Sequence, residues 1–441
     1  MHPGLIGACA PSSVGPVYNR RPQKGMRLVP RAFLIYVYIV KKDGAKRFMT
    51  AKEWLPLIGI AVAAFVFNTS EFMPIALLVD IAADFGVTEA RAGLLISVYA
   101  WAVCLLSLPL MVFASRFDFR KILLFLAAFF GVCQVFSALA PGYWSLMAAR
   151  VGVACAHAVF WSVASPAAVQ TVRPEYRSRA LSTIVAGSSV AMICGLPLGR
   201  VVGLALGWRM TFVCIAVVSF LVLTYLFVVF PKMGAGERFS LRELPDLLKN
   251  RVLLAIYLVT ALVATGYYTG YSYIEPFLQQ VGGFSDGFIT AALSFFGVAG
   301  IAGSLLFARL YEGERRRHAF LVAVLSGIAA SLAFMLPAAE GPAGVVGMCA
   351  LWGACGTAFN VSLQAEILRY APAGSAAVAM SIFSGIFNLG IGGGSAIGGA
   401  VGSAISVAFV GVAGALVAVG GVVACAMLLV PAMRKKNASS R

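Results

Sequence analysis

GSSVAMICGLPLGRVVG (187–203) sets small residues at Gly187, Ala191, Gly195, Gly199 and Gly203, one at every fourth position. GIGGGSAIGGAVG (390–402) repeats the pattern with Gly390, Gly394, Gly398 and Gly402. Small residues four apart share one helix face, so each stretch predicts a helix whose backbone a neighbour can approach closely. One such ladder would suit any bundle of apolar helices. Two at matching places in the halves of one chain predict a duplicated architecture, with binding where the halves meet.

Working outward from the ladders, segments of membrane length follow at a regular rhythm from Trp54 onward. They are placed at 54–79, 89–114, 122–140, 143–168, 180–205, 210–231, 252–280, 287–309, 319–338, 343–369, 375–403 and 405–432, each near the 20 or so apolar residues a bilayer needs. The expected fold is therefore an all-α membrane protein, twelve transmembrane helices in two pseudo-symmetric six-helix bundles. The expected divisions are a disordered basic extension over 1–50, a first bundle over 51–231, a linker over 232–251, and a second bundle with a short basic tail over 252–441. The extension holds nine Lys and Arg and a single apolar run, Ala32–Val40, too short to cross. Met49 opens a conventional start, MTAKEWLPLIGIAVAAF, so the extension reads as a product of start-site choice.

Composition agrees. Of 441 residues 61% are hydrophobic and 12% charged, against roughly a quarter charged in soluble domains. The net charge of +17 does not indicate nucleic acid, because its Lys and Arg gather in alternate loops. Arg116, Arg120 and Lys121 lie in loop 2–3; Arg173, Arg177 and Arg179 in loop 4–5; Lys232, Arg238, Arg242, Lys249 and Arg251 in loop 6–7; Arg315, Arg316 and Arg317 in loop 8–9; Arg434, Lys435, Lys436 and Arg441 in the tail. The opposite loops hold Asp84, Glu89, Asp286 and Glu340. The positive loops predict cytoplasmic termini in a multi-pass protein of the bacterial inner membrane. Eight of the nine Cys fall inside apolar runs without zinc spacing, so neither a metal site nor disulfides are expected.

Charged and polar side chains inside the spans are costly and mark pathways. In span 1, Asn68 and Glu71 share a face; Glu71 reads as a carboxylate that cycles between protonated and ionised. Span 4 carries Arg150, Ala154, His157, Trp161 and Ser165 along one stripe. His157 suits a proton relay or a partner for hydroxyls, and Trp161 offers a flat face for a sugar ring. Span 7 presents Tyr268, Tyr271 and Glu275; spans 2, 10 and 11 add Tyr99, Asn360 with Gln364, and Ser384 with Asn388. Spans 1 and 7 are each expected to break at an acid–proline pair, Glu71 with Pro74 and Glu275 with Pro276. Arg200, near the outer end of span 5, is read as reaching to the interface. The surplus of uncharged hydroxyls and amides favours a neutral polyol over a cationic drug.

With these residues in hand, the chain resembles the major facilitator superfamily, in its drug/sugar–proton antiporter branch. Gly195, Pro197 and Gly199 match that branch's span 5 antiporter motif, and Arg150 with Ala154 matches its span 4 arginine motif, which the resemblance associates with proton coupling. The loop 2–3 motif keeps Arg116 and Arg120 but departs from the family pattern, with Met111, Ser115 and Asp118 where Gly, Asp and Gly belong. AAFVFNTSEFMPIALL, SVYAWAVCLLSLP, RVGVACAHAVFWS, GLPLGRVVGLALGWRMTF, YTGYSYIEPF and FSGIFNLGIGGG look like bacterial sugar-efflux (SotB-type) transporters over roughly 54–430. The resemblance implies export of sugars such as arabinose, or of thio-galactosides, against proton entry.

The expected mechanism is alternating access about a midplane site. Asn68, Tyr99, His157, Trp161, Tyr268, Tyr271, Asn360 and Asn388 are the candidate solute contacts. Glu71, His157, Glu275 and Arg150 are the candidates for proton coupling. No cofactor is expected beyond the proton gradient, and the partners are solute, protons and lipid, with the chain a monomer. Multidrug or nucleoside efflux is the alternative. Sugar symport, a membrane-embedded enzyme, a sensor and nucleotide-driven transport fit less well, the last because no Gly-x-x-x-x-Gly-Lys-Ser/Thr run occurs.

Overall fold

A computed structural model describes residues 49–114, 116–233, 244–311, 313–372 and 376–438. The basic extension expected over 1–50 lies outside the described residues up to position 48, as do 234–243 of the expected linker, Ser115 and Arg441. The described residues form helices joined by short connections. These are α1 (Ala51–Phe85), α2 (Glu89–Ala114), α3 (Phe119–Ala138), α4 (Tyr143–Gln170), α5 (177–206), α6 (Trp208–Val229), α7 (Arg251–Tyr271, continued by Ile274–Pro276 and Phe277–Val281), α8 (Asp286–Leu310), α9 (Glu314–Ala333), α10 (Pro342–Tyr370), α11 (Ala376–Ala404) and α12 (Val407–Ala438).

Eleven helices among the described residues are long and apolar enough to cross a bilayer. The twelfth expected span, α5, runs through three consecutive segments, Arg177–Val190, Ala191–Gly195 and Leu196–Leu206. The middle one is a wide π turn ending two residues before Pro197. Proline cannot donate to the carbonyl four residues back, and a π turn at that point lets the chain continue as a helix without a sharp stop. Exposed Phe125, Phe136, Leu221, Val228, Leu416 and Met427 lie on the outer faces, as a lipid-facing surface requires.

The two halves repeat one packing scheme. α1 packs on α5 and α6, as α7 packs on α11 and α12; α3 lies between α4 and α6, as α9 lies between α10 and α12; α2 meets α4 as α8 meets α10. The halves join through α2 against α11 and α5 against α8. The connections alternate in charge. One end of the bundle carries Arg116, Arg173, Arg177 and Arg315–Arg317 and is here the basic end; the other carries Asp84, Glu89, Asp286 and Glu340 and is the acidic end.

The glycine ladders do what their spacing predicts. A Cβ at Gly187 would fall on the Ala61 carbonyl, one at Gly195 would lie 2.8 Å from Thr69 Oγ1, one at Gly199 2.8 Å from Met73 Cγ, and one at Gly203 would meet Leu77. The α5 ladder is thus seated along α1. In the second half, Cβ atoms at Gly390, Gly394 and Gly398 would strike Ala264, Thr265 and Thr269 of α7. Gly402 differs, with nothing within 4 Å. Gly392 and Gly399 form a second face of α11, crowded by Trp101, Ala90 and Tyr273 where the halves touch.

Both acid–proline breaks are present. α1 is α-helical to Phe72, tightens to a 3₁₀ turn over Met73–Leu77 with Pro74 near its start, and resumes at Leu78. α7 is interrupted after Tyr271, then continues as Ile274–Pro276 and a π turn over Phe277–Val281.

Candidate functional site

The break in α1 sets the site. Pro74 lacks an N–H, so the carbonyl of Ser70, four residues earlier, loses its helical donor. A carbonyl left unpaired in an apolar interior costs several kcal/mol (~1–3 by mutational estimates). Arg150, on α4 and 1% exposed, supplies the donor, with one guanidinium nitrogen 2.9 Å from Ser70 O and 3.2 Å from Ser70 Oγ. Its other nitrogen lies 3.4 Å from Glu71 O, and the guanidinium carbon sits 4.4 Å from the centre of the Tyr99 ring on α2. Gln134 of α3 donates to Ser70 Oγ at 2.5 Å. Arg150 therefore holds the backbone of the break from the far side of Glu71.

Glu71 itself is buried. Its Oε2 lies 3.6 Å from His157 Nε2, beyond hydrogen-bond distance and within reach of an ion pair when the imidazole is protonated. That imidazole nitrogen is already engaged, because Trp161 Nε1 donates to it at 2.9 Å. Indole nitrogen can only donate, so His157 Nε2 is the acceptor in this bond. The two residues are four apart on α4, one helical turn, so they lie on the same stripe of the helix. Tyr99 meets His157 edge to face at 5.9 Å. Asn68, one turn before Glu71, donates to Ser188 Oγ of α5 at 2.5 Å.

The second half contributes a different surface. Tyr267, Tyr268 and Tyr271 of α7 pack with Phe296 of α8 and Trp352 of α10, with ring centres 5.0–5.9 Å apart. Phe72 of α1 stacks on Tyr268 at 6.3 Å, within 12° of parallel, and brings this cluster to the Glu71 group. Phe72, Tyr267, Tyr268 and Tyr271, with Ala191 and Leu196 of α5, line a narrow cleft between the halves. Ala191 and Leu196 bracket the π turn, so the irregular stretch of α5 borders this space.

The candidates thus divide into groups. Asn68, Glu71, Tyr99, Arg150, His157 and Trp161 come together around the α1 break, and Tyr268 and Tyr271 face them across Phe72. Asn360 and Asn388 make their hydrogen bonds within their own helices: Gln364 Nε2 donates to Asn360 Oδ1, and Asn388 Nδ2 donates to Ser384 O at 2.9 Å. Asn388 Oδ1 is buried without a partner, an acceptor-only atom free for a donor.

Glu275 stands apart from the central group. It lies past the α7 break, where it pairs with Arg200. Arg200 does not reach to the interface as its sequence position suggests: it is fully buried and also contacts Asp286 at 2.8 Å and Ala76 O at 3.2 Å. Its partners come from α1, α7 and α8, which only the folded bundle assembles.

Arg116 is exposed, and Arg120 ties the start of α3 to α6 by donating to Phe227 O at 2.6 Å. Asp118, out of place in the family's loop motif, caps α3 by accepting from the backbone N–H groups of Arg120 and Lys121 at 2.8 and 3.2 Å. Sequence reasoning passed over Glu366, buried near the basic end of α10. It accepts from Tyr311 OH at 2.7 Å, with Arg317 and Arg369 each 3.8 Å away. An acid in the last turns of an apolar helix, with arginines three residues on and in loop 8–9, was the available signal.

A family model of the Major Facilitator Superfamily matches residues 60–392. Solved structures with the same fold include a bacterial homologue of the human lysosomal transporter Spinster in an inward-facing, unoccupied conformation. It is 17% identical, with TM-score 0.67 over 88% of this chain and 96% of that one. The same homologue in an inward-facing, occupied conformation matches at TM-score 0.62 and 17% identity over 85% and 94%. The human organic anion transporter MFSD10 (TETRAN) matches at TM-score 0.62 and 14% identity over 85% and 98%. The chain belongs to the Major Facilitator Superfamily, and is a multi-pass membrane transporter working by alternating access.

Proposed function

We propose that this transporter exports a small uncharged polar solute, a sugar, in exchange for protons, and that it does so from a bacterial inner membrane with its basic end in the cytoplasm. The observation that carries the reading is Glu71: a buried carboxylate on a broken helix, 3.6 Å from His157 and joined through Phe72 to the cleft between the halves. A proton and a solute that compete for such a group disfavour each other's binding, which is the thermodynamic requirement for exchange. Ionised, Glu71 accepts strong charge-assisted hydrogen bonds from solute hydroxyls; protonated, it is a weaker acceptor and a donor itself, and the solute is held less tightly. Asn68 and the free acceptor of Asn388 add polar contacts, and Trp161 and Tyr268 offer flat faces to a ring. The charge of the loops supports the orientation.

Residues 51–231 and 252–441 act as the two rocking bodies in this scheme, joined by 232–251. Arg150 keeps the α1 break intact while the charge on Glu71 changes, so its part in proton coupling is through position. The chain functions as a monomer without a bound cofactor.

The test is transport of labelled arabinose in inside-out vesicles with an imposed pH gradient, wild type against Glu71→Gln. Accumulation driven by an acidic lumen and lost in the variant is the expected result. Gradient-driven transport that survives the substitution moves the proton to His157 or Glu275. No arabinose movement by folded protein removes the sugar reading. The aromatic wall of the cleft favours a second reading in that case, efflux of amphipathic drugs or nucleosides, and the same vesicles assay it with a hydrophobic dye or a purine nucleoside.

A further inference from the structure

Arg200 is fully buried, and its guanidinium reaches both halves of the molecule. From α5 it pairs with Glu275 beyond the α7 break and with Asp286 at the start of α8, 2.8 Å away. It also donates to Ala76 O, 3.2 Å away, in the 3₁₀ turn of α1. Asp80, one turn further along α1, lies within Coulombic reach of the same group. Other contacts between the halves gather at this end: Gln280 with Glu89, and Ser395 Oγ donating to Gly93 O at 3.1 Å.

The α1 break is therefore gripped on both sides. Arg150 holds the carbonyls of Ser70 and Glu71, and Arg200 holds the carbonyl of Ala76 six residues beyond the first of them. Between the two grips lie Glu71, Phe72 and Pro74. A shift of backbone at Glu71 cannot be absorbed locally, because packed elements with two arrangements move as units.

We propose that Arg200 is the positioning residue that latches the acidic end shut, with Glu275 and Asp286 as its partners, and that the 3₁₀ turn of α1 ties this latch to the site around Glu71. Glu275, a candidate for proton coupling from its sequence position, then serves closure. Arg200 is buried with Glu275 and meets the half-exposed Asp286, so separating it from them would leave its charge buried and unpaired, a larger penalty than breaking an exposed pair, and would free α5 from α7 and α8 together.

The experiment reads the width of the acidic end directly and needs no solute. Spin labels go on cysteines introduced at Ala83 and Glu340, both exposed and on opposite halves, after the native cysteines are replaced by serine. Pulsed dipolar spectroscopy then gives the distance distribution. The latched protein shows a short-distance population. Glu275→Gln with Asp286→Asn shifts weight to a longer one. Because that pair leaves a buried arginine underpartnered, the neutral triple variant Arg200→Gln, Glu275→Gln, Asp286→Asn is measured beside it and gives the same shift. An unchanged distribution in the triple variant overturns the latch. Glu71→Gln redistributes the populations when the latch is intact and adds nothing in the triple variant. An equal effect in both backgrounds overturns the link through α1. Failure of arabinose transport leaves all of these distances unaffected, so the two proposals fall separately.

Discussion

α4 and α10 begin alike, each after a glycine cap, Gly142 and Gly341, and then diverge at the places that matter. The eighth residue is Arg150 in α4 and Cys349 in α10; the fifteenth is His157 in one and Gly356 in the other; the nineteenth is Trp161 against Asn360. Where α4 carries an imidazole, α10 has a glycine, and the ring of Tyr267 fills the space, 2.9 Å from where a Cβ would stand. One skeleton thus carries charge in its first half and aromatic surface in its second. Duplication supplied the hinge geometry twice. Among the described residues only the first half places a carboxylate at the centre, and in the exchange proposed above that asymmetry gives the solute site one wall that responds to protons and one that defines shape.

If that division is right, Arg150→Met should be the most damaging single change at the centre. It strips the donor from Ser70 O and from Glu71 O, and the expected loss is about 3 kcal/mol with transport abolished. Cys349→Ser at the matching place should cost about 1 kcal/mol or less. Thermal unfolding of the purified proteins compares them, and equal losses would break the comparison. Next come the ladders. Gly394→Ala drives a methyl into the α7 backbone at Thr265 and should cost roughly 1–3 kcal/mol. Gly402→Ala meets nothing and should be neutral or stabilising by up to about 1 kcal/mol. A matching loss at Gly402 would show that the second ladder is longer than its contacts.

Trp161→Phe sharpens the contrast further. It keeps the ring but removes the N–H that occupies His157 Nε2, at a cost of about 1 kcal/mol in stability. In the vesicle assay its effect should fall on the yield of solute per proton gradient more than on downhill exchange, whereas Tyr267→Phe should leave both nearly intact. The smallest effect belongs to Asp84→Asn, which breaks a half-exposed pair with Arg209 at 2.5 Å. Unfolding should shift by less than about 1 kcal/mol.

What was legible in the sequence is what local rules govern. The glycine spacing marked the faces of α5 and α11 that a neighbour approaches closely, and Pro74 and Pro276 marked the breaks, because each acts through its own helix; which helices sit on those faces came only from the fold. The α4 stripe placed His157 beside Trp161 for the same reason. Arg200 was misread because an arginine near the end of an apolar helix looks the same whether water or two carboxylates face it. Those carboxylates lie 75 and 86 residues away in the chain. Glu366 escaped for the related reason that Tyr311 and Arg317 reach it from another element. The π turn in α5 follows from Pro197 only once the chain is known to stay helical there.

The α5 ladder has one more property. Gly187 rests at Ala61, Gly195 at Thr69, Gly199 at Met73 and Gly203 at Leu77, always the same interval apart. A repeat of four is nearly its own translation: slide α5 one turn, about 5.4 Å, along α1 and each glycine finds another seat. Glycine spacing alone therefore does not fix the sliding position of these helices, although the 3₁₀ turn of α1 and the π turn of α5 do not repeat and already favour one register. Two polar contacts that do not repeat either reinforce it, Asn68 with Ser188 near one end and Arg200 with Ala76 O near the other. The ladder makes the helices fit; this pair of polar pins helps set the notch.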